Sequence, residues 1–549
     1  MTAIVADERE NAALQTRIAA ILTLGALPGE TDGFDAAARD AAAAFIAAAS
    51  GRPDPHAPAI ALESGGGEGA HRMMRLAIVN DDMPFLVDSV AAAVAARGLA
   101  VHRLLHPIVA ARRDADGAIA ELLPPATEGE RRESIIYMEI ERADAKIRRA
   151  LAEEIGAVLA QARAAVEDYP AVQQALREAT ARLPDGEGAA LLRWIAAGQM
   201  TLLGRIGLDG DGATTGAMLG IARVDAAPFC APGIHAAALR WFADGGEAPL
   251  LLKADRLSVV HRRAPIDLLL LPRREDGRVS GLDMFAGLWT SGALSTPPDR
   301  VPLLRRHLAD LAEQLGFDPA SHAGKALRHA LTVLPHDLVL TLPAAALKHV
   351  ALTAMSLADR PRPRLMLVEE ALGRHLFGFV WLPRDALTMT MRAAIGRMIA
   401  EASGGTIVND AIALDASGLA LLRYTIDLSG ARGTTLDAAA LDRRLSEMVR
   451  GWAPAVEEAL AEAIGANRAA RLTLSHAAAF PAAYRERTDA AGAAEDIVRL
   501  TGLDDSGARA ARLYRDAADT GDALRLKIYR IGGLVPLSDV VPVLENFGF

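Results

Sequence analysis

Cysteine is almost missing from this 549-residue chain: Cys230 stands alone, so no disulfide can form within it. A reducing compartment fits such usage, and the expectation is a cytoplasmic protein. Aromatic residues are also scarce, at 4%. Long apolar runs are absent too. No stretch reaches the ~18 residues of a membrane span, and the nearest, residues 41–49, reads as a short alanine-rich helix, so no membrane association is expected. Residues 1–11 (MTAIVADEREN) show neither a basic nor an apolar leader region, so no secretory signal is expected. Basic clustering is weak: the net charge is −10 and Lys/Arg are scattered, which argues against a nucleic-acid partner. What the chain does have is apolar material, 51% of residues against 23% charged, enough for several cores.

The pattern along the chain predicts an α+β multidomain protein. Residues 1–50 read as helices and 51–69 as a Gly/Pro-rich linker. Residues 72–142 alternate: a strand at 74–79, a helix at 84–97, a strand at 100–112, a DADG turn at 114–117 and a strand at 134–141. A long helical segment follows over 144–182, with Pro170 as a predicted break. Residues 190–275 carry short strands and Gly/Asp turns at 209–212, 244–246 and, just beyond, 276–277, as in an antiparallel sheet with one or two helices. Helices are predicted at 302–315, 321–334, 344–358 and 388–402. Strands are predicted at 364–368, 376–382, 406–414 and 419–428. Residues 434–465 and most of 468–513 read as helical. The last segment reads strand (524–529), turn, helix (536–547). One strand and one helix cannot bury their own apolar faces, so the natural protein is expected to be longer.

No catalytic constellation emerges. The phosphate loop G-x-x-x-x-G-K-[ST] and the G-x-S-x-G elbow are absent. Residues 65–70 (GGGEGA) match the dinucleotide fingerprint in letters, but without a strand before or a helix after they read as linker. Asp209-Gly210-Asp211-Gly212 begins like a calcium loop but lacks the twelfth-position glutamate and reads as a turn. His322, His329 and His336 recur every seven residues, which on one helix separates neighbours by roughly 10.5 Å, too far for a shared zinc. His102 and His106 share a predicted strand, ~13 Å apart. Both sets are read as structural, and no metal site is expected. Lys253 and His261-Arg262-Arg263, flanking a predicted strand at 257–260, read as a solvated basic rim, as do Arg273-Arg274 and Arg305-Arg306.

One corner stands out: Asn80-Asp81-Asp82-Met83-Pro84-Phe85, where a strand ends and a helix begins. Asp81 or Asp82 can cap that helix, with Pro84 in its first turn, and capping is the favoured reading. Unpaired N–H groups at the helix start also suit a ligand carboxylate, and the acidic side chains suit an ammonium. An amino acid carries both groups, so an amino-acid effector is the ligand class for these six residues.

Several segments resemble the N-terminal half of the large bacterial NAD-specific glutamate dehydrogenases. They are 78–90 (IVNDDMPFLVDSV), 101–113 (VHRLLHPIVAARR), 191–204 (LLRWIAAGQMTLLG), 253–262 (KADRLSVVHR), 285–291 (FAGLWTS), 301–305 (VPLLR), 382–385 (LPRD), 480–485 (FPAAYR) and 524–548. The resemblance implies ferredoxin-like ACT-type domains, a PAS-like antiparallel-sheet domain and helical motifs ahead of a catalytic domain. The implied layout is an N-terminal helical segment and linker (1–69), a first ACT-type domain (70–143), a helical linker (144–189) and a PAS-like domain (190–298). A helical motif (299–360), a second ACT-type domain (361–430), a second helical motif (431–520) and the start of a third ACT-type domain (521–549) follow. In the family the catalytic domain lies beyond the third ACT unit and oxidises L-glutamate with NAD. The resemblance therefore implies homo-oligomers, and an NAD site that lies outside this chain, so no catalytic, cofactor or metal residue is carried over. The alternative reading is a free-standing ACT/PAS amino-acid sensor. Residues 386–390 and 335–340 (PHDLVL) depart from the family pattern, which points to a lost contact or ligand role in the second ACT unit and the helix before it.

Overall fold

The computed structural model describes residues 2–64, 73–225, 229, 233–414, 418–431, 436–485, 487–504, 507–515, 524–533 and 535–547. Cys230, the glycine-rich run 65–70 and most of the turn 415–418 lie outside the described residues. The chain divides into two compact units. The first holds Met1–Pro361, Met366–Phe379 and Gly396–Leu436, and the second Arg362–Leu365, Val380–Ile395 and Asp437–Phe549.

The first sheet is built from β1 (Ala59–Ser64), β2 (Met74–Asp81), β3 (Val101–Leu105), β4 (Ile108–Arg113), β5 (Ile119–Leu123) and β6 (Arg132–Ile140). Its order is β1-β2-β6-β4-β5, with β3 also on β6. Alternation along β2 sends successive side chains to opposite faces. Leu76 and Ile78 pack with the helices Leu86–Ala96 and Ala145–Ala181. Ala77 and Val79 pack instead with Ile18 and Ile46 of the N-terminal helices Thr2–Ile21 and Ala36–Ala49. Three expectations need correcting here. Residues 59–64 are not linker but β1, paired with β2 from Ala59↔Val79 to Ser64↔Met74, so a strand does precede the run 65–70, and the next described element after that run is β2 rather than a helix. The predicted strand 100–112 is two strands parted by His106-Pro107, because proline has no N–H to give a ladder; the Pro107 carbonyl accepts from Ile135. Pro170 does not break the helix Ala145–Ala181, which is capped by Asp144 and runs through it.

The DADG turn falls where expected, between β4 and β5, and Gly117 (φ +81°) reaches Arg52. A Cβ on Gly117 would sit 2.1 Å from the Arg52 carbonyl oxygen. Gly117→Ala should therefore cost at least about 1–2 kcal/mol from the left-handed backbone alone, with the clash in addition. A urea midpoint equal to that of the parent protein would refute this.

The second sheet comprises β7 (Met200–Asp209), β8 (Leu219–Gly220), β9 (Leu250–Leu257), β10 (Pro265–Glu275) and β11 (Arg278–Trp289), all antiparallel in the order β8-β7-β11-β10-β9. Asp276 and Gly277, both with positive φ (49° and 79°), close the β10–β11 hairpin in the conformation that matches strand twist. The strand expected at 257–260 lies earlier: β9 ends at Leu257. Helices Leu304–Leu315, His322–Val333 and Ala344–Asp359 follow near their predicted places. His336 opens a separate short helix, His336–Val339, after Pro335, so the seven-residue histidine row does not share one helix. A four-stranded sheet, in the order β12-β13-β15-β14, is formed by β12 (Arg364–Glu369), β13 (His375–Pro383), β14 (Thr406–Leu414) and β15 (Leu419–Asp427), with the helix Met389–Ser403 between β13 and β14 in sequence.

In the second unit, the helix predicted over 434–465 is two, Ala438–Val449 and Trp452–Ile464, parted at Gly451 (φ +79°). Helices Ala466–His476 and Ala490–Thr501 follow. Residues 509–514, read as helical, are instead strand β16 (Arg509–Tyr514), paired antiparallel with β17 (Arg525–Arg530). The last helix is Leu537–Asn546. Buried Asp496 ties this unit together, accepting from Tyr484, from Tyr529 at 2.6 Å and from Lys527 at 2.7 Å. Leu513, Ile528, Val541, Val543 and Phe547 are exposed here.

Candidate functional site

The corner Asn80–Phe85 is held by arginines. Asn80 donates from Nδ2 to the Asp81 carbonyl (3.0 Å) and accepts from Arg163 at 2.8 Å. Asp81 accepts from Arg52 (3.0 Å), Arg131 (2.6 Å) and Arg163 (2.7 Å). Burial pushes its carboxyl up, but these guanidiniums prevail and hold it below the usual carboxylate range. Asp82 pairs with Arg132 at 2.8 Å and accepts from the Ser134 hydroxyl at 2.9 Å. Neither carboxylate caps the following helix. It starts at Leu86 behind a left-handed Phe85 (φ 73°) with no side-chain cap, and Pro84 lies in the turn before it rather than in its first turn. Met83 and Phe85 turn inward onto apolar clusters, and the Phe85 ring lies 5.2 Å from that of His261. A ligand ammonium at Asp81 would compete with three arginines already in place. His106, half-buried beside this corner, hydrogen-bonds Ser134 at 3.0 Å, and burial pulls its pKa down.

A second constellation forms within the first unit. Lys253 and Asp267 lie directly opposite each other on β9 and β10. The Lys253 ammonium donates to Asp267 at 2.6 Å and to Asp337, on the short helix His336–Val339, at 2.8 Å. Asp337 also accepts from Arg423 of β15 at 3.3 Å. An unbroken ionic chain, Asp267–Lys253–Asp337–Arg423, thus joins the five-stranded sheet, the helical segment and the strand pair β14–β15. Lys253 is only 3% exposed, so it is no part of a solvated rim. Its burial works against the charge, yet the two carboxylates outweigh burial and raise its pKa. Two carboxylates share this single ammonium. Burial, only partly opposed by Lys253, pushes Asp267 up to about 6. Asp337 is half-buried, and although desolvation pushes it up, Lys253 and Arg423 together bring it down to about 2. Asp337, within the departing segment 335–340, is the hub of this chain. A parallel link runs from Asp255 of β9 to Arg374, which also faces Asp427 at 3.5 Å. By contrast, Arg305 and Arg306 lie at the surface, paired with Glu187 and Glu247 at 2.8 Å.

Beside the chain lies a cavity of about 310 Å³. Its lining includes Arg262 and Arg263, which follow β9, together with Asp267, Asp337, Asn409, Asp410, Arg423 and Thr425. Arg262 donates to the Trp289 carbonyl at 2.6 Å, and its Nε is buried without a partner. Arg263 has its nearest carboxylate, Glu154, at 3.9 Å, beyond hydrogen-bond reach. Among the described residues no group of three or more His, Cys, Asp or Glu side chains is placed to hold a metal ion. What the cavity offers is fixed charge of both signs and hydrogen-bonding side chains, which is a binding chemistry. Sequence reading missed Asp267, Asp337 and Arg423. For Asp267 and Arg423 the available signal was a single ionisable residue inside an apolar run, as in PIDLLLLP and LALLRYTI.

Among the described residues no helix is long and apolar enough to cross a membrane. Five segments match domain models of glutamate dehydrogenase: the ACT1 domain over 38–155, helical motif 1 over 301–360, the ACT2 domain over 364–453, helical motif 2 over 459–503 and the ACT3 domain over 508–549. The chain is similar to the NAD-specific glutamate dehydrogenase of Halomonas elongata, 28% identical over 537 residues, which is 90% of this chain and 32% of that protein. It is likewise similar to the NAD-specific glutamate dehydrogenase of Pseudomonas aeruginosa, at 28% over 498 residues (86% of this chain, 30% of that protein). The Mycobacterium tuberculosis protein of the same name is 24% identical over 515 residues (86% and 30%). This chain, which spans about a third of the length of the curated relatives it matches, matches the glutamate dehydrogenase domain models in the order ACT1, helical motif 1, ACT2, helical motif 2, ACT3.

Proposed function

We propose that the chain is the N-terminal regulatory and oligomerising part of an NAD-dependent glutamate dehydrogenase, an enzyme converting L-glutamate, NAD and water to 2-oxoglutarate, ammonium and NADH. The observation that carries this reading is the ordered series of three ACT matches and two helical-motif matches. In this reading the five-stranded sheet of residues 200–289 is the PAS-like domain, the whole protein is a cytoplasmic homo-oligomer, and the modules bias its activity in response to an amino acid. NAD and the reacting groups belong to a catalytic domain outside these residues.

The purified 549-residue chain should give no glutamate-dependent NADH, because its sequence holds no dinucleotide loop framed by strand and helix. Turnover that survives removal of host dehydrogenases would overturn this. Sequencing the coding DNA past codon 549 supplies the second check. An open frame encoding a dinucleotide fingerprint supports the enzyme. A stop codon there would favour a free-standing sensor.

A further inference from the structure

We propose that the cavity beside Lys253 is a binding site for a free α-amino acid, with its carboxylate on Arg262 and Arg263 and its ammonium towards Asp337. This site is separate from the corner Asn80–Phe85, where the carboxylates are already paired with arginines. Three observations converge. The volume, about 310 Å³, is at the small end of ligand sites and suits a metabolite rather than a nucleotide. Two adjacent guanidiniums face it with donors to spare: Arg262 spends one N–H group on the Trp289 carbonyl, and Arg263 makes no hydrogen bond to its nearest carboxylate. A guanidinium fork matches a carboxylate in two parallel bonds, so the pair is a ready anion seat. The third observation is the opposite charge in the same cavity. Asp337 accepts from Lys253 at Oδ2, from Arg423 at Oδ1 and from its own backbone N–H, and an ionised carboxylate has about four acceptor positions. The Asn409 amide and the Thr425 hydroxyl add neutral hydrogen-bonding groups for a polar side chain.

Occupancy would act on the ionic chain itself, since Asp337 is both ligand partner and hub. An amino acid there would favour whichever arrangement of β9, the short helix and β15 holds Asp337 at the cavity. That regulatory meaning rests on the function proposed above, but binding does not, and the two can fail separately.

Calorimetric titration of the whole chain with L-glutamate and L-aspartate tests the site. Saturable heat is expected from at least one of them, and weaker or no binding from 2-oxoglutarate and succinate, which lack the ammonium. Arg263→Ala should weaken binding about ten-fold or more. Its melting temperature should hold, because Arg263 is part-exposed and makes no hydrogen bond to Glu154. Arg263→Lys should bind with intermediate affinity. Asp82→Asn should bind as the parent does. No heat from either amino acid would overturn the proposal. So would unchanged affinity in Arg263→Ala, equal affinity for the skeletons without an amino group, or loss of binding in Asp82→Asn alone.

Discussion

Replacing Lys253 with methionine should destabilise the first unit by about 3–5 kcal/mol, the usual cost of stranding a buried charge. Methionine fills nearly the same space, so packing is not what is lost. The loss comes from Asp267 and Asp337, which would face each other with no ammonium between them. Asp337 keeps Arg423, whereas Asp267 loses the ammonium that hydrogen-bonds it and keeps the weaker influence of Arg262. Urea unfolding at neutral pH is the measurement, with the midpoint moving and the slope unchanged. A companion variant, Lys253→Met with Asp267→Leu, should recover much of the loss, because removing both charges removes the penalty as well. A single-variant loss under about 1 kcal/mol would mean that the charges are hydrated and the chain is not a buried one.

Asp267 also predicts how the stability of this unit depends on pH. Its carboxyl rises from 3.8 unfolded to about 6 folded. The native protein therefore holds a proton that the unfolded chain has released, and stability from this residue falls as pH rises through that interval. The contribution is fully present below about pH 4 and gone above about pH 6; a shift of this size corresponds to roughly 3 kcal/mol. Asp337, lowered to about 2, acts the opposite way at more acidic pH, and its contribution is lost as pH falls from about 4 to about 2. Asp267→Asn should flatten the decline between about pH 4 and 6, and it should be more favourable relative to the parent at pH 7 than at pH 4. The difference in unfolding free energy between parent and variant, followed across that range, checks it. A constant offset would remove the assignment.

Much of the architecture was legible because helices advertise themselves. Leu304–Leu315, His322–Val333 and Ala344–Asp359 follow their apolar periodicity, and the turns at 114–117 and 276–277 follow Asp-Gly chemistry. What escaped was structure whose local signal points elsewhere. β1 hides behind a Gly/Pro-rich stretch, and only its ladder with β2 makes it a strand. β16 reads RAARLY, a string of good helix formers, and tertiary pairing with β17 overrides that preference. Pro170 carried a break signal that the packing of a 37-residue helix absorbs. For the site the obstacle was distance. Asp81 and Asp82 looked like caps because their neighbours in sequence are a helix start, while Arg52, Arg131 and Arg163 lie 29, 50 and 82 residues away. Lys253 looked like surface for the same reason, since its partner Asp337 is 84 residues downstream.

Excised pieces of this protein meet the ionic chain at once. The helical-motif match ends at residue 360 and the ACT2 match begins at 364, which invites a cut between them. Such a cut leaves Asp337 on one polypeptide and Arg423 on the other, while a cut before 301 parts Lys253 from Asp337. Each piece would open to water a seam that the intact chain keeps closed, with an unmatched charge at its edge. A piece running from the helix Glu187–Trp194 before the five-stranded sheet to just past the end of β15, roughly 187–431, keeps every member of the chain together.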